Sequence, residues 1–160
     1  GRFERIDMGQ PFLVVVDFAH TDDALRNLLV TARELHAGGR IITLFGCGGN
    51  RDRSKRPLMG EVAGRNSDVV GLSSDNPRNE EALYIISDAL VGLQRRPATG
   101  LVEPDGQHAI ELAMDQARSG DVVLLAGKGH ETVQILKQGS IPFDDREMAR
   151  RALRARGYVG

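Results

Sequence analysis

Short apolar runs and amphipathic stretches take turns along this chain. Phe12–Val16, Arg40–Phe45, Asp68–Leu72 and Asp121–Ala126 are brief segments rich in β-branched residues, each running into glycine or a polar loop. Near-continuous hydrophobicity of that length predicts strands of a parallel sheet covered on both faces. Between them the apolar spacing becomes helical. Leu25, Leu28, Leu29, Ala32 and Leu35 share one stripe, with Thr21 placed to cap it and Gly38–Gly39 to stop it. A second helix starts near Pro57 and carries Leu58, Val62 and Ala63. A third runs from Asn79 to Leu93 with Leu83, Ile86 and Leu90 inward; a fourth spans about Gln107 to Arg118 and a fifth about Arg146 to Arg156. Arg95–Gly100, around Pro97, reads as a surface loop. Repeats and low-complexity tracts are absent. The alternation predicts an α/β fold: a Rossmann-like, doubly wound, mostly parallel sheet flanked by helices.

Ligands of such sheets bind outside the carboxyl ends of the strands. Four polar loops fall there: "DFAHTDD", "GCGGNRDRSKRP", "SSDNPRNEE" and "GKGHE". Their coincidence on one edge is the main functional signal.

Composition narrows the partners. At 160 residues, the chain suits one domain with a real hydrophobic core. A net charge of −1 gives no electrostatic case for nucleic acid, because the basic clusters are mixed with acids. No apolar run approaches the ~20 residues of a membrane span. Cys47 is the one cysteine, so no internal disulfide forms, which fits a reducing cytoplasm. The chain starts within a strand-like segment, as a piece of something longer would.

The loops differ in chemistry. Glycines 46, 48 and 49 let the backbone turn sharply and approach a ligand. A dinucleotide fingerprint needs glycine at position 51, where Arg51 stands, and the phosphate-loop pattern is absent throughout. Arg51, Lys55 and Arg56 are candidates for anion contact. In "SSDNPRNEE", Pro77 stiffens the corner and pushes Asn76 toward extended geometry. Arg78 offers a planar fork matched to a carboxylate, and Asp75 and Asn76 can take an ammonium or a hydroxyl. The plainer alternative is that Asp75 and Asn76 only cap the next helix. Asp17 and His20 precede a helix N-terminus, a position that favours anions, with loop hydrogen bonding as the alternative. Gly127 and Gly129 expose backbone groups before Glu131, an acceptor for a cation. No nucleophile elbow, paired Cys–His or zinc spacing is present, so no residue is assigned a catalytic role and no metal site is expected.

Taken in order, "DFAHT", "FGCGGNRD", "KRPLMG", "DNPR" and "AGKGHE" resemble the C-terminal domain of the Mur ligase family, from about Phe12 to Arg154. "DFAHT" alone would also fit the folylpolyglutamate synthetases, whereas "DNPR" is similar to the acceptor motif of the diaminopimelate-adding branch. The resemblance implies a short N-terminal hairpin beside the sheet. It also implies that residues 1–160 are one domain of a three-domain ligase, the UDP-binding and ATPase domains lying outside this chain. The implied reaction is ATP-dependent amide synthesis in peptidoglycan assembly, adding meso-diaminopimelate to UDP-MurNAc-L-Ala-D-Glu through an acyl phosphate. ATP and Mg²⁺ would be bound mainly by the central domain, so these residues would not catalyse alone. Carried onto this sequence, Arg51, Asp75, Asn76, Arg78, Gly127 and Glu131 would bind meso-diaminopimelate, and Asp17 and His20 would face the nucleotide. Lysine lacks the distal carboxylate and would strand Arg78, a penalty on the order of 2–5 kcal/mol. Asp22, Ala82 and Gly106 depart from the family, which usually has Pro, Pro and often Arg at those places. Two other readings remain: a related ligase with another acceptor such as L-lysine, or a non-catalytic amino-acid-binding module.

Overall fold

The structure, a computed structural model, describes residues 3–36, 38–47, 54–74, 81–94, 98–127, 133–136, 139–142 and 144–159. Their elements, in order, are β1 (Glu4–Arg5), β2 (Leu13–Asp17), α1 (Asp22–Leu35), β3 (Ile41–Cys47), α2 (Lys55–Asn66), β4 (Val69–Ser74), α3 (Ala82–Leu93), β5 (Thr99–Val102), α4 (Gly106–Gln116), β6 (Val122–Ala126), β7 (Val133–Leu136), β8 (Gly139–Pro142) and α5 (Asp145–Ala155). The main sheet has the order β1-β2-β6-β3-β4-β5. Strands β2 to β6 are parallel, and β1 runs antiparallel to β2 as the expected N-terminal hairpin.

Alternating side chains of each strand feed two separate cores. Val15, Ile41, Phe45, Val70 and Leu124 pack under α1, α2 and α3. Val14, Val16, Ile42, Val69 and Val123 pack under α4 and α5 on the other face. This is why β2 and β6 read as unbroken hydrophobic runs: neither face meets water. Thr21 caps α1 as expected, its Oγ1 accepting from the Ala24 amide at 3.1 Å. Asp105 and Asp144 cap α4 and α5 in the same way.

Several expectations need correction. Leu58 is 41% and Leu83 56% exposed, and Leu35 is exposed as well. In α3 the inward residues are Ile85, Ile86, Ala89 and Leu93. The α3 sequence is apolar on nearly every side, so its spacing could not choose a face. The region read as the Arg95–Gly100 loop contains the start of β5, whose residues 99–102 pair with β4. The β7–β8 hairpin forms a second, two-stranded sheet that no sequence signal announced.

The α2–α3 contact replaces side chains with backbone. A Cβ on Gly60 would lie 1.9 Å from the Ala89 carbonyl oxygen, and one on Gly92 would lie 1.9 Å from that of Pro57. Glycine inside a helix costs about 1 kcal/mol relative to alanine. Here that cost permits a helix approach that any side chain would block.

Candidate functional site

The topology decides which loops are neighbours. β6, the last parallel strand in sequence, inserts between β2 and β3. Along the carboxyl edge, the ends of β2, β6, β3 and β4 therefore follow one another side by side. Asp17 is in register with Ala126, and Cys47 with Ser74.

Asp17 ends β2 and is half-buried. Its Oδ1 accepts from the Ala19 amide at 2.9 Å, and its Oδ2 accepts from the Phe3 amide at 2.7 Å. The first bond shapes the "DFAHT" turn. The second holds Phe3 at φ +48°, a left-handed conformation that costs a non-glycine residue on the order of 1–3 kcal/mol. The Asp17 carbonyl accepts from the Gly127 amide at 3.1 Å, tying the ends of β2 and β6 together. Gly127 has φ +115°, which only glycine adopts without strain.

His20 is exposed. Its Nδ1 lies 3.0 Å from the Phe18 carbonyl oxygen, and the two rings meet edge-on with centroids 4.8 Å apart. Donation from Nδ1 leaves Nε2 as the acceptor of the neutral ring. A hollow of about 360 Å³ opens here, lined by Phe3, Asp17, Phe18, His20, Asn27 and Thr31 among others. That volume is in the range of small-molecule sites. The first turn of α1 carries Asp22 and Asp23, which already complement the helix dipole. Lys55 Nζ sits 3.9 Å from Asp22 Oδ1.

Arg56, read as a candidate anion contact, is 1% exposed. Its Nη1 donates to Asp88 Oδ2 at 2.8 Å, bridging α2 to α3. The guanidinium is thus an internal strut, shielded from any ligand in solvent. On the outer side, Ser73 Oγ donates to the Pro104 carbonyl oxygen at 3.5 Å, and His108 Nδ1 lies 3.0 Å from Glu103 Oε1. Among the described residues, no group of three or more His, Cys, Asp or Glu side chains could hold a metal ion, and no helix is long and apolar enough to cross a membrane.

The sequence matches the family described as Mur ligase, glutamate ligase domain, over residues 1–129. The chain belongs to the Mur ligase family. It is 61% identical over 158 residues to the UDP-N-acetylmuramoyl-L-alanyl-D-glutamate–2,6-diaminopimelate ligase of Solibacter usitatus, covering 99% of this chain and 32% of that protein. Identity to the ligase of the same name from Geobacillus kaustophilus is 50% over 157 residues, 98% of this chain and 32% of that one. A solved structure of such a ligase superposes with a TM-score of 0.91 at 39% identity, again over 99% of this chain and 32% of the other. This Mur ligase chain thus spans about a third of the length of these relatives.

Within the Mur ligase domain, Asp17, His20 and Gly127 are brought to one stretch of the sheet edge. Arg51, Asp75, Asn76, Arg78 and Glu131 lie outside the described residues, as does Gly129. Sequence reasoning missed the Phe3–Asp17 bond and Asp88 as the partner of Arg56. The second had one available signal: an acid in the middle of an otherwise apolar helix.

Proposed function

We propose that this chain is the C-terminal, acceptor-binding domain of a three-domain, ATP-dependent ligase that adds meso-diaminopimelate to UDP-MurNAc-L-Ala-D-Glu in peptidoglycan synthesis. ATP would phosphorylate the D-glutamate side-chain carboxylate, releasing ADP. The acceptor amine would attack the acyl phosphate, and the tetrahedral intermediate would expel phosphate to leave the amide. In this reading Arg51, Asp75, Asn76, Arg78, Gly127 and Glu131 hold and orient the acceptor. Asp17 and His20 face the nucleotide, while Mg²⁺ and most contacts to ATP belong to the domains preceding this one. A lone cysteine and an ATP requirement fit the cytoplasm.

The observation that carries the reading is the insertion of β6 between β2 and β3. The segments entering the Arg78 and Glu131 loops leave β4 and β6, separated only by β3, so their origins are two strand spacings apart, roughly 10 Å. That span suits one elongated zwitterion gripped at its far end. The acid-rich first turn of α1 also contrasts with that of α2, which carries no acids, so a ligand carboxylate is better tolerated beside α2.

The test is amide formation by the intact ligase, offered meso-diaminopimelate or L-lysine. Diaminopimelate should be strongly preferred, and Arg78→Ala should raise its KM by ~30-fold or more with the KM for ATP unchanged. Equal use of lysine, or an undiminished acceptor affinity in the variant, would overturn the assignment.

A further inference from the structure

We infer that the outer edge of β5, together with the apolar flank of α3 beside it, is a docking surface for a second copy of this chain. The two edges of the main sheet differ. β1 is two residues long and carries Glu4 and Arg5, the short and charged form that blunts an edge against pairing. β5, at the opposite edge, reads Thr-Gly-Leu-Val, without charge, and Thr99, Gly100 and Val102 are exposed. The Thr99 amide donates to the Asp68 carbonyl at 3.2 Å, and the Glu103 amide donates to that of Leu72 at 3.0 Å. The odd-numbered residues thus turn their backbone groups toward β4. Strand alternation then points the N–H and C=O groups of Gly100 and Val102 outward. Among the described residues, no strand lies beyond them.

The helices on both faces leave that edge apolar. In α3, Asp88 and Gly92 face α2. Leu83, Ser87 and Leu90, spaced by four and three residues, fall on the opposite flank, toward β5. None of the three is charged, and Leu83 is 56% exposed. On the other face of the sheet, half-buried Leu101 and Leu112 line an apolar hollow beneath the edge. The outer faces of α1 and α5, by contrast, bear Asp23, Arg26, Arg151 and Arg154. A surface of this kind is complementary to itself. A two-fold axis normal to the sheet lays β5 antiparallel to its twin and brings the neutral flanks together without like-charge repulsion. Centred on Leu101, the pairing sets Gly100 opposite the partner's Val102, and each such pair exchanges both of its N–H···O bonds. A Cβ on Gly100 would lie 3.2 Å from Leu93 Cδ2, so this position faces α3, and the partner's Val102 covers the space that the glycine leaves there. Because α3 packs mainly over β4, the two α3 helices stand about three strand spacings apart, roughly 14 Å. Leu83 and Leu90 of each copy fill that gap. With both β5 edges used and both β1 edges charged, assembly stops at the dimer. The inference is independent of the acceptor assignment.

The test is sedimentation equilibrium of the intact ligase over a range of concentrations, beside amide hydrogen exchange. The parent should reversibly reach twice its monomer mass, with exchange at Gly100 and Val102 slowing as concentration rises. Val102→Lys gives β5 the charge that protects natural edges, and a two-fold interface meets each substitution twice, so self-association should weaken at least ~10-fold. Leu83→Glu carries the same expectation from the helix flank, and stands alone should Val102→Lys fail to fold. Val30→Lys, at an exposed apolar position of α1, should leave the dimer intact. A parent that stays monomeric at every concentration overturns the inference; slow exchange at Gly100 and Val102 in that monomer would make another domain of the ligase the occupant. A dimer that ignores both variants, or that Val30→Lys disrupts equally, is built on a different face and overturns it too.

Discussion

Replacing Gly60 with alanine drives a methyl group into the backbone of the neighbouring helix. The new Cβ would stand 1.9 Å from the Ala89 carbonyl oxygen, 2.9 Å from its carbon and 3.1 Å from the Leu93 nitrogen. Ordinary contact begins near 3.4 Å, so α2 and α3 must separate by about 1.5 Å at the crossing, the difference between 3.4 and 1.9. No flexible side-chain tip is available to yield, because every one of these atoms is main chain. Overpacking of a core typically costs about 1–3 kcal/mol, and a backbone obstacle places this case at or above the upper end. Alanine recovers about 1 kcal/mol through its better helix propensity. The net loss is then about 2 kcal/mol or more, and a domain of this size melts about 2–4 °C lower per kcal/mol. Thermal unfolding followed by circular dichroism should show Gly60→Ala melting at least about 4 °C below the parent chain. Gly38→Ala is the control, because nothing lies within 4 Å of its Cβ. If Gly60→Ala matched or exceeded the parent while Gly38→Ala were silent, the close helix crossing would be refuted.

Two further predictions concern carboxylates. Burial would push the Asp121 carboxyl up, but the Arg118 and Arg40 amides and the Arg40 guanidinium together hold it below the usual range. A depressed native pKa means that the unfolded chain binds the proton first as pH falls. The stabilisation is therefore complete above the unfolded value of about 3.9 and lost as pH drops through the native one. Asp121→Asn should cost about 2–3 kcal/mol at pH 7, with the gap to the parent closing below about pH 4 in denaturant titrations across pH; a gap independent of pH would contradict the ionised hydrogen-bond set. Asp17→Asn presents an NH₂ group to one of the two amides that Asp17 now accepts. That mismatch should cost about 1–3 kcal/mol and speed hydrogen exchange at Phe3 or Ala19; unchanged exchange at both would show that neither bond matters.

How far the residue order alone reached differs from one element to the next. Thr21 capping α1 and the runs that became β2, β3, β4 and β6 depend on local spacing, which survives folding unchanged. Leu83 and Leu58 do not. In α3 the apolar residues surround the helix, and in α2 the face is set by Gly60 and Arg56 meeting α3, so partners rather than periodicity chose what is buried. Arg56 shows the same limit for chemistry: an arginine in a basic loop reads as a ligand for anions until a carboxylate thirty-two positions away is found against it.

The order of residues thus determined the α/β class, the strand and helix sequence, and the five motifs that mark a Mur ligase domain, because each is written in neighbouring positions. Only the tertiary structure decided that β6 inserts between β2 and β3, that Asp17 grips the backbone of Phe3, and that Arg56 is a strut between helices. Those outcomes join residues distant in the chain, and their energies come from contacts that exist only once the sheet has assembled.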